Sequence, residues 1–301
     1  MVLANKGNYS SVNMPNRDET IQIKWQKCIL DFILLNCVGW PILFLFLWGS
    51  PYKRGFFCDD ESLRHPYIES TVPSWSLYLS GLGLNGVVML ITEYLLHRSS
   101  NTQRKVIFGR EIPNFIYSVY CIIGIFAFGA ACSQLTTDIM KYTIGRLRPH
   151  FFTVCQPDVC NGSFALYKYY ENFTCTNELY KNNKRIMKEM RLSFPSGHSS
   201  FSMYCMTYLA IYLQKRMTWD ASKLLKHTLQ FLAVLWAVFT AMTRVSDYKH
   251  HWSDVLCGLG LGALVAIITA RYFSTLFSQP EVKLEESVPI NKNGNNITHN
   301  V

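Results

Sequence analysis

The chain has 301 residues, of which 16% are charged and 49% are apolar, and its formal net charge is +9. An average soluble domain carries roughly 25% charged residues, so this chain is poor in charge. Its high apolar share and ordinary glycine and proline content exclude a disordered or fibrous protein and favour a membrane protein.

Long apolar stretches recur along the chain and contain few charged side chains. About 20 apolar residues in helical conformation cross ~30 Å of hydrocarbon. Buried helices of a soluble protein would show a polar stripe, which these stretches lack. We therefore predict an all-α membrane protein with six transmembrane helices. The predicted spans are 28–48, 75–96, 114–136, 199–214, 227–243 and 254–277, of which the fourth is the shortest.

The two ends of the chain differ in composition from the spans. Residues 1–27 are polar and have no apolar core ahead of a small-residue cleavage site, so we expect the first span to be an uncleaved anchor. Residues 278–301 are polar and rich in asparagine, which predicts a disordered tail. The expected organisation is an arm over 1–27, a six-span domain over 28–277 with an external loop at 137–198, and the tail.

Basic residues indicate which side of the membrane each loop occupies. Segments 97–113 and 215–226 and the arm 1–27 are rich in Lys and Arg, and short loops with this bias are retained in the cytoplasm. Both ends of the chain are therefore predicted to be cytoplasmic and the loop 137–198 to be external. That loop is also basic, but at about 60 residues its charge has little effect on orientation. Contact with anionic lipid accounts for the cytoplasmic basic residues, so we predict no nucleic-acid partner.

The predicted external loop has features of an extracellular or luminal segment. Asn161-Gly-Ser163 and Asn172-Phe-Thr174 are glycosylation sequons. Chance explains either sequon alone, but less readily both of them beside three cysteines. Four external cysteines can pair in three ways, and the sequence does not decide among them. These cysteines are Cys58, Cys155, Cys160 and Cys175.

The first of three polar clusters follows the third predicted span. Lys141 and Arg148 are seven residues apart, so they would share one face if the helix continued. Pro149 disfavours helix at Arg148 and is expected to turn the chain there. Two cations directed the same way suit an anion, although alone they also fit lipid-headgroup anchors at a span end.

The second cluster stands directly before the fourth span. Ser193 is expected to cap this helix, with Pro195 in its first turn. The amides of Ser196, Gly197 and His198 would then be unpaired at the positive end of the helix dipole, where phosphate binds. Alone, this cluster is equally an ordinary helix start with a solvated histidine.

The third cluster joins the fifth and sixth spans and contains Arg244, His250 and Asp254. If the sixth helix begins early, His250 and Asp254 are i,i+4 neighbours. The carboxylate could then accept the Nδ1 proton and leave the lone pair of Nε2 free. An imidazole oriented in this way beside Arg244 is suited to attack phosphorus, the alternative being a polar interfacial hairpin.

A zinc site is a further alternative, because His198, His250, His251 and Asp254 supply enough ligands. The cationic side chains in the same three clusters would repel a metal ion. We therefore predict an anionic ligand and no metal.

Together the three clusters resemble the three-part signature of the type 2 phosphatidic acid phosphatase superfamily. The stretch 145–150 and the six spans resemble its lipid phosphate phosphatase branch in particular. The third motif usually opens with Ser, whereas Thr243 stands here and keeps the hydroxyl. The matching residues are Lys141 with Arg148-Pro149, then Pro195-Ser196-Gly197-His198, then Arg244, His250 and Asp254.

This resemblance implies an integral-membrane enzyme that removes phosphate from lipid phosphates without a metal or other cofactor. Phosphatidic acid, lysophosphatidic acid, sphingosine 1-phosphate and ceramide 1-phosphate form the implied substrate class. His250 would form a phosphohistidine, Asp254 would orient it, and His198 would protonate the departing alkoxide. The residues implied to bind phosphate are Lys141, Arg148, Ser196, Gly197 and Arg244.

Other functions fit the same sequence. The motifs alone also permit a phosphatase for a soluble phosphate ester, and a non-catalytic lipid-binding or adhesion protein could use the same scaffold. Transport is less favoured, because Asp31, Glu93 and Arg271 lie near predicted span ends.

The sequence also leaves the location and assembly of the protein open. The expected location is the plasma membrane with the active site extracellular, or an internal membrane with the site luminal. Glycines in the second, third and sixth spans permit close packing of helices within a subunit or between subunits. The sequence is therefore compatible with both a monomer and a homo-oligomer.

Overall fold

The computed structural model describes residues 21–22, 24–99, 105–107, 110–160, 168–217 and 223–277. Helices dominate this part of the chain. Residues 1–20, Asn161 and the predicted tail lie outside the described residues. The helices are α1 Trp25–Trp48, α2 Ser74–Tyr78, α3 Asn85–Ser99, α4 Asn114–Ile144, α5 Phe151–Cys155, α6 Lys184–Glu189, α7 Gly197–Arg216, α8 Lys223–Ser246 and α9 Trp252–Ile268.

Short elements complete the fold. A π-helix at Leu79–Leu84 joins α2 to α3, and another at Thr269–Phe273 continues α9. The strands are β1 Ile21–Gln22, β2 Phe56–Phe57, β3 Lys105–Ile107, β4 Arg110–Ile112 and β5 Tyr169–Tyr170. β3 pairs in parallel with β1 and antiparallel with β4, while β2 pairs antiparallel with β5.

Five segments are long and apolar enough to cross a membrane, in agreement with five of the six predicted spans. The third extends to Ile144, past the predicted end near 136, and carries Lys141 in its last turn. The spanning segments are Trp25–Trp48, Ser74–Arg98, Asn114–Ile144, Leu224–Ser246 and Trp252–Phe273.

The fourth predicted span corresponds to α7, which is not among these five apolar segments. It has 20 residues and is rich in Ser and Tyr, and most of its side chains are buried. It packs against α3, α4, α8 and α9, so helices rather than lipid surround it. A helix enclosed in this way has no need of an apolar surface. By contrast, no residue of α1 is buried, and α1 packs mainly against α4.

Two glycines bring α9 close to α7. A Cβ atom on Gly258 would lie 2.6 Å from the carbonyl oxygen of Ser196, and one on Gly262 would lie 2.2 Å from that of Ser200. Only hydrogen fits at these distances, so the two helices meet backbone to backbone. The contact places the start of α9 beside the start of α7.

A buried ion pair ties α3 to the far end of α7. Glu93 has no exposed surface, and its Oε1 lies 3.2 Å from Nε of Arg216 and accepts a hydrogen bond of 3.0 Å from the hydroxyl of Tyr212. The sequence placed Glu93 near the end of a span but did not indicate that it pairs with Arg216 and links α3 to α7.

The segments outside the bundle form a second, smaller core. Phe56 packs against Phe151 with ring centroids 4.9 Å apart, and two disulfides lie in the same layer. The bonds join Cys58 to Cys160 and Cys155 to Cys175, which selects one of the three pairings left open by the sequence. This layer connects the segment between α1 and α2 to the segment between α4 and α7.

Candidate functional site

The first cluster lies where α4 ends. Gly145 adopts a left-handed conformation with φ of 60°, and its N–H donates to the carbonyl of Lys141. The left-handed glycine stops α4 at Ile144, so the condition under which Lys141 and Arg148 would share one helix face is not met. Arg148 reaches the site from an extended segment, held by a 2.9 Å hydrogen bond from its N–H to the carbonyl of Met190.

The second cluster forms the start of α7. Ser196, rather than Ser193, caps the helix, and its side chain accepts from the N–H of Ser199. The amide of Ser196 donates to the carbonyl of Asp254 at 3.0 Å, so it is not unpaired as predicted. The amides of Gly197 and His198 occupy the first two helical positions, where no intrahelical acceptor exists.

Lys141 lies against the amino end of α7. A Cβ atom on Gly197 would be 2.7 Å from Nζ of Lys141, so glycine leaves room for the ammonium group. Nζ also lies 3.9 Å from Oδ1 of Asp138, one turn earlier on α4. A cation and a helix amino end thus face the same point, which favours an anion there.

The third cluster holds Arg244 almost completely buried, with 1% of its surface exposed. Its Nη2 donates to Oδ2 of Asp247 at 2.9 Å and to the hydroxyl of Thr243 at 3.1 Å. Nε also donates to that hydroxyl, at 3.3 Å. Thr243, where Ser is usual, therefore supplies the oxygen that fixes the guanidinium.

His250 is positioned differently from the prediction. Its Nδ1 lies 2.6 Å from the carbonyl oxygen of Ser193, whereas the nearest carboxylate oxygen of Asp254 is 3.9 Å away. The expected direct hydrogen bond between His250 and Asp254 is thus wrong. A backbone carbonyl takes the place of the carboxylate because Ser193 lies between the two side chains.

Asp254 is a buried junction beside His250. One of its oxygens accepts from Arg146, and the other accepts from the hydroxyl of Ser193 at 2.6 Å and from the N–H of His251 at 3.1 Å. The carboxylate therefore joins the first and second clusters to the start of α9. Ser193 connects it to His250, because the hydroxyl of Ser193 bonds to Asp254 and its carbonyl oxygen lies 2.6 Å from Nδ1 of His250.

The three clusters converge on the ring of His250. Burial lowers the pKa of His250 well below its ordinary value, and the positive charges of Arg148 and Lys141, followed by His198, lower it further. Two polar atoms nearby are buried and have no partner among the described residues, Nε of Arg148 and Nε2 of His198. Buried polar atoms are normally paired, so unpaired donors beside several cations indicate a place for an anion.

His251 does not belong to this convergence. Its Nε2 lies 3.1 Å from the carbonyl of Leu147, and its backbone N–H contacts Asp254. Among the described residues, no three His, Cys, Asp or Glu side chains are grouped to hold a metal ion.

Lys249 is a further cation beside the site. Only 7% of its surface is exposed, and its Nζ lies 3.8 Å from the centre of the Tyr67 ring. Burial, followed by repulsion from Arg148, lowers the pKa of Lys249 to about 8. Cation–π contact stabilises the ammonium, but within the described chain no carboxylate lies within 4.0 Å of it.

Sequence reasoning missed several side chains that shape the site. Three of them lie within or beside the quoted motifs, but no spacing rule marks them. The other two are Thr71, from the segment between α1 and α2, and Glu189, the last residue of α6, whose Oε2 lies 3.9 Å from Nη1 of Arg148. No local signal pointed to either. The missed residues are Thr71, Arg146, Glu189, Asp247 and Lys249.

Comparison with known proteins decides the family. The profile described as the PAP2 superfamily matches residues 122–278, which include all three clusters. The chain belongs to the PAP2 superfamily. The resemblance drawn from its motifs is therefore confirmed, and a PAP2 protein with these apolar helices is a multi-pass integral membrane protein.

Named relatives of this PAP2 chain are similar over most of its length. Human phospholipid phosphatase 2 is 42% identical over 85% of the chain and 86% of the relative. Rat phospholipid phosphatase 1 is 44% identical over 85% and 88%, respectively. A Drosophila melanogaster protein, named provisionally as a phosphatidate phosphatase, is 51% identical over 84% of the chain and 70% of its own length. No solved structure matched the chain.

Proposed function

We propose that this PAP2 protein is a lipid phosphate phosphatase that uses His250 as its nucleophile. The observation that carries the proposal is the buried ring of His250, which is 5% exposed and whose Nδ1 is held 2.6 Å from the carbonyl oxygen of Ser193, just before the start of α7. Two of the relatives are named phospholipid phosphatases, and the third name refers to phosphatidate. The substrate class is the lipid phosphate monoesters, including phosphatidic acid, lysophosphatidic acid, sphingosine 1-phosphate and ceramide 1-phosphate.

The tautomer of His250 suits a nucleophile. The carbonyl of Ser193 can only accept a hydrogen bond, so Nδ1 carries the proton and Nε2 keeps its lone pair. The lowered pKa keeps the ring neutral at physiological pH. Nε2 can therefore attack the phosphorus atom while Asp254 holds Ser193 in place.

The cations would bind the three non-bridging oxygens of the phosphate. Lys141, Arg148 and Arg244 supply positive charge, and the backbone amides of Gly197 and His198 at the start of α7 supply hydrogen bonds. Phosphoryl transfer spreads charge over these oxygens, so fixed cations stabilise the transition state. Lys249 adds a fourth cation, which favours a doubly charged phosphate monoester over a singly charged diester.

The reaction proceeds in two balanced steps. First, His198 takes up a proton as the phosphate dianion binds among the cations. Nε2 of His250 then forms a bond to phosphorus as the bond to the lipid oxygen breaks, and His198 gives that proton to the departing alkoxide. Second, neutral His198 takes a proton from water, whose oxygen attacks the phosphohistidine. Inorganic phosphate leaves, and both histidines return to their starting states. No step uses a metal ion.

The site and both disulfides lie at the same end of the bundle, and disulfides persist in oxidising compartments. We propose that this end is extracellular if the protein resides in the plasma membrane, or luminal if it resides in an internal membrane. Asn172 is exposed there and is the described glycosylation candidate. We also propose that α7, at about 30 Å long, crosses the membrane as the fourth span in chain order, which brings the total to six.

The decisive experiment replaces His250 with Ala in detergent-purified protein and measures phosphate release from phosphatidic acid. The matched control is His227→Ala, an exposed histidine on α8. We expect the first variant to lose activity at least about a thousandfold and the second to keep it. Undiminished release by His250→Ala would refute the assigned nucleophile.

A substrate comparison tests the lipid assignment and both alternatives. We expect a long-chain phosphatidic acid to be cleaved with far higher kcat/KM than a water-soluble phosphate ester. The reverse preference would favour the soluble-substrate phosphatase, and failure to cleave either would favour the non-catalytic binding protein. Activity lost in chelator and restored by magnesium would contradict metal independence.

A further inference from the structure

The segment between α1 and α2, residues 49–73, touches all three motif segments of the site; we refer to it as the first external loop. The N–H of His65 donates to the carbonyl of Pro149 at 3.0 Å, and the ring of His65 stacks on Tyr248 with centroids 4.5 Å apart. The backbone of Val72 lies next to the His198 imidazole. The loop is therefore a cover over the site.

Thr71 makes the most direct connection from this loop to a phosphate-binding side chain. Its N–H donates to Oδ2 of Asp247 at 2.8 Å, and its hydroxyl donates to Oδ1 at 2.7 Å. Oδ2 also accepts from Nη2 of Arg244 at 2.9 Å. One carboxylate thus joins an exposed threonine to a guanidinium that is 1% exposed.

The two bonds from Thr71 fix the orientation of the carboxylate. A carboxylate held by one partner can rotate about its side-chain torsion, whereas one held on both oxygens is restricted. Nε and Nη2 of Arg244 are occupied by Thr243 and Asp247, and within the described chain Nη1 has no protein acceptor. The direction of Nη1 therefore depends on Asp247 being held correctly.

We propose that Thr71 is a positioning residue for Arg244, so that the first external loop must cover the site for this arginine to point at the phosphate. The inference rests on the proposed function, because it assigns phosphate binding to Arg244. It adds a requirement that no motif residue supplies. Because Thr71 belongs to this loop, the packing of the loop against the site and the alignment of Arg244 depend on the same hydrogen bonds.

The chain offers a matched pair of substitutions. Thr71→Val removes the hydroxyl but keeps the backbone bond and the branched shape, and Thr71→Ser restores the hydroxyl. Thr153→Val is the control, since its hydroxyl donates to the carbonyl of His65 at 2.8 Å and anchors the same loop without reaching Arg244. Should the valine variant at Thr71 fail to fold, Thr71→Ala removes the same hydroxyl from a smaller side chain.

The measurements are kcat and KM for phosphatidic acid in detergent micelles and the inhibition constant of vanadate, an analogue of the transferring phosphoryl group. We expect Thr71→Val to lower kcat/KM about tenfold and weaken vanadate inhibition similarly, the size expected for one hydrogen bond to a charged group. In Thr71→Ser, kcat/KM should recover to within about threefold of the native value. Thr153→Val should be inhibited by vanadate as strongly as the native protein.

A double-mutant cycle with Arg244→Lys tests the route. If Thr71 acts through the guanidinium, the loss caused by Thr71→Val should shrink to less than about twofold in the Arg244→Lys background. Three results would overturn the proposal: unchanged kinetics in Thr71→Val, equal weakening of vanadate by Thr153→Val, or an undiminished loss in the double variant. A wild-type protein inactive on every phosphate ester would instead refute the proposed function itself.

Discussion

Ser193 and His250 are joined by a hydrogen bond of 2.6 Å between the carbonyl oxygen of the first and Nδ1 of the second. The hydroxyl of the same serine donates to Asp254 at 2.6 Å. Ser193 therefore separates His250, the proposed nucleophile, from the carboxylate that a helical spacing would pair with it. The carbonyl of Ser193, in the second cluster, fixes the tautomer of the His250 imidazole, and Asp254, in the third cluster, holds Ser193 in place.

This arrangement predicts unequal effects of removing the two side chains. Asp254→Ala removes a fully buried carboxylate that accepts from Arg146 and Ser193, so it frees both the serine and a guanidinium whose side chain is 33% exposed. We expect kcat of Asp254→Ala to fall at least about a hundredfold, with a smaller change in KM. Ser193→Ala keeps the carbonyl and should lower kcat only about tenfold.

Steady-state kinetics of the purified variants measure this order. Asp31→Ala is the control, because its carboxylate also accepts from a hydroxyl, that of Tyr120 at 2.8 Å, but lies on α1. A greater loss in Ser193→Ala than in Asp254→Ala would show that the carboxylate does not act through the serine.

The pH dependence of kcat/KM follows from His250 and Lys249. Because the pKa of His250 lies well below 6.5, the ring becomes protonated and inactive only at acid pH, and neutral solution leaves it free to attack. The pKa of Lys249 is about 8, so this cation is present below pH 8 and is lost as pH rises through it. We expect kcat/KM to fall above about pH 8 through a rise in KM.

Substitution of the lysine tests the assignment of the alkaline limb. Lys249→Arg should shift the limb upward, because arginine stays charged. Lys249→Met should remove the limb and lower kcat/KM at neutral pH. Lys168→Met is the control, since Lys168 is exposed and lies 5.6 Å from the ring of Tyr170. An alkaline limb that stays in place in Lys249→Arg would assign it to another group.

The sequence predicted the helical membrane fold because long apolar stretches carry that information locally. It also predicted which residues converge, since the motif spacings place Lys141, Arg148, His198 and His250 at span ends. It could not predict how they are held. The left-handed turn at Gly145 depends on a neighbour distant in the sequence, because a Cβ atom there would lie 2.1 Å from the carbonyl oxygen of Tyr52.

The same limit applies to contacts between helices. α7 was the least apolar predicted span, and only the packing of four helices around it explains its Ser and Tyr content. The pairing of Thr71 with Asp247 spans 176 residues, and nothing near either residue indicates the other. Local patterns report what faces lipid, whereas long-range contacts decide hydrogen-bond partners.

The disulfide between Cys58 and Cys160 is expected to stabilise the cover over the site. It joins residues 102 apart and links the first external loop to the segment after α5. We expect Cys58→Ser to lower the melting temperature in detergent, with a stability loss of roughly 2–4 kcal/mol, and to lower activity more than the exposed Cys37→Ser. Thermal unfolding with and without reductant measures this. Equal melting temperatures for both variants would contradict it.

The close contact between α7 and α9 predicts a sharp difference between two glycines on one helix. A Cβ atom on Gly258 would lie 2.6 Å from the carbonyl oxygen of Ser196, while one on Gly260 would meet nothing within 4 Å. Gly258→Ala must therefore push the cap of α7 away from α9, and the hydrogen bond from Ser196 to the carbonyl of Asp254 must lengthen.

Because Gly197 and His198 begin α7 and Asp254 lies in the first turn of α9, we expect Gly258→Ala to lower both stability and kcat. The stability loss should be about 1–3 kcal/mol, the usual range for overpacking. Gly260→Ala should melt at or slightly above the native temperature, since alanine favours helix by up to about 1 kcal/mol. Melting curves and phosphate release on the two purified variants measure both effects. If Gly258→Ala were as active as Gly260→Ala, the site would tolerate separation of the two helices. The hydrogen bond from Ser196 to the carbonyl of Asp254 would then not be needed for activity.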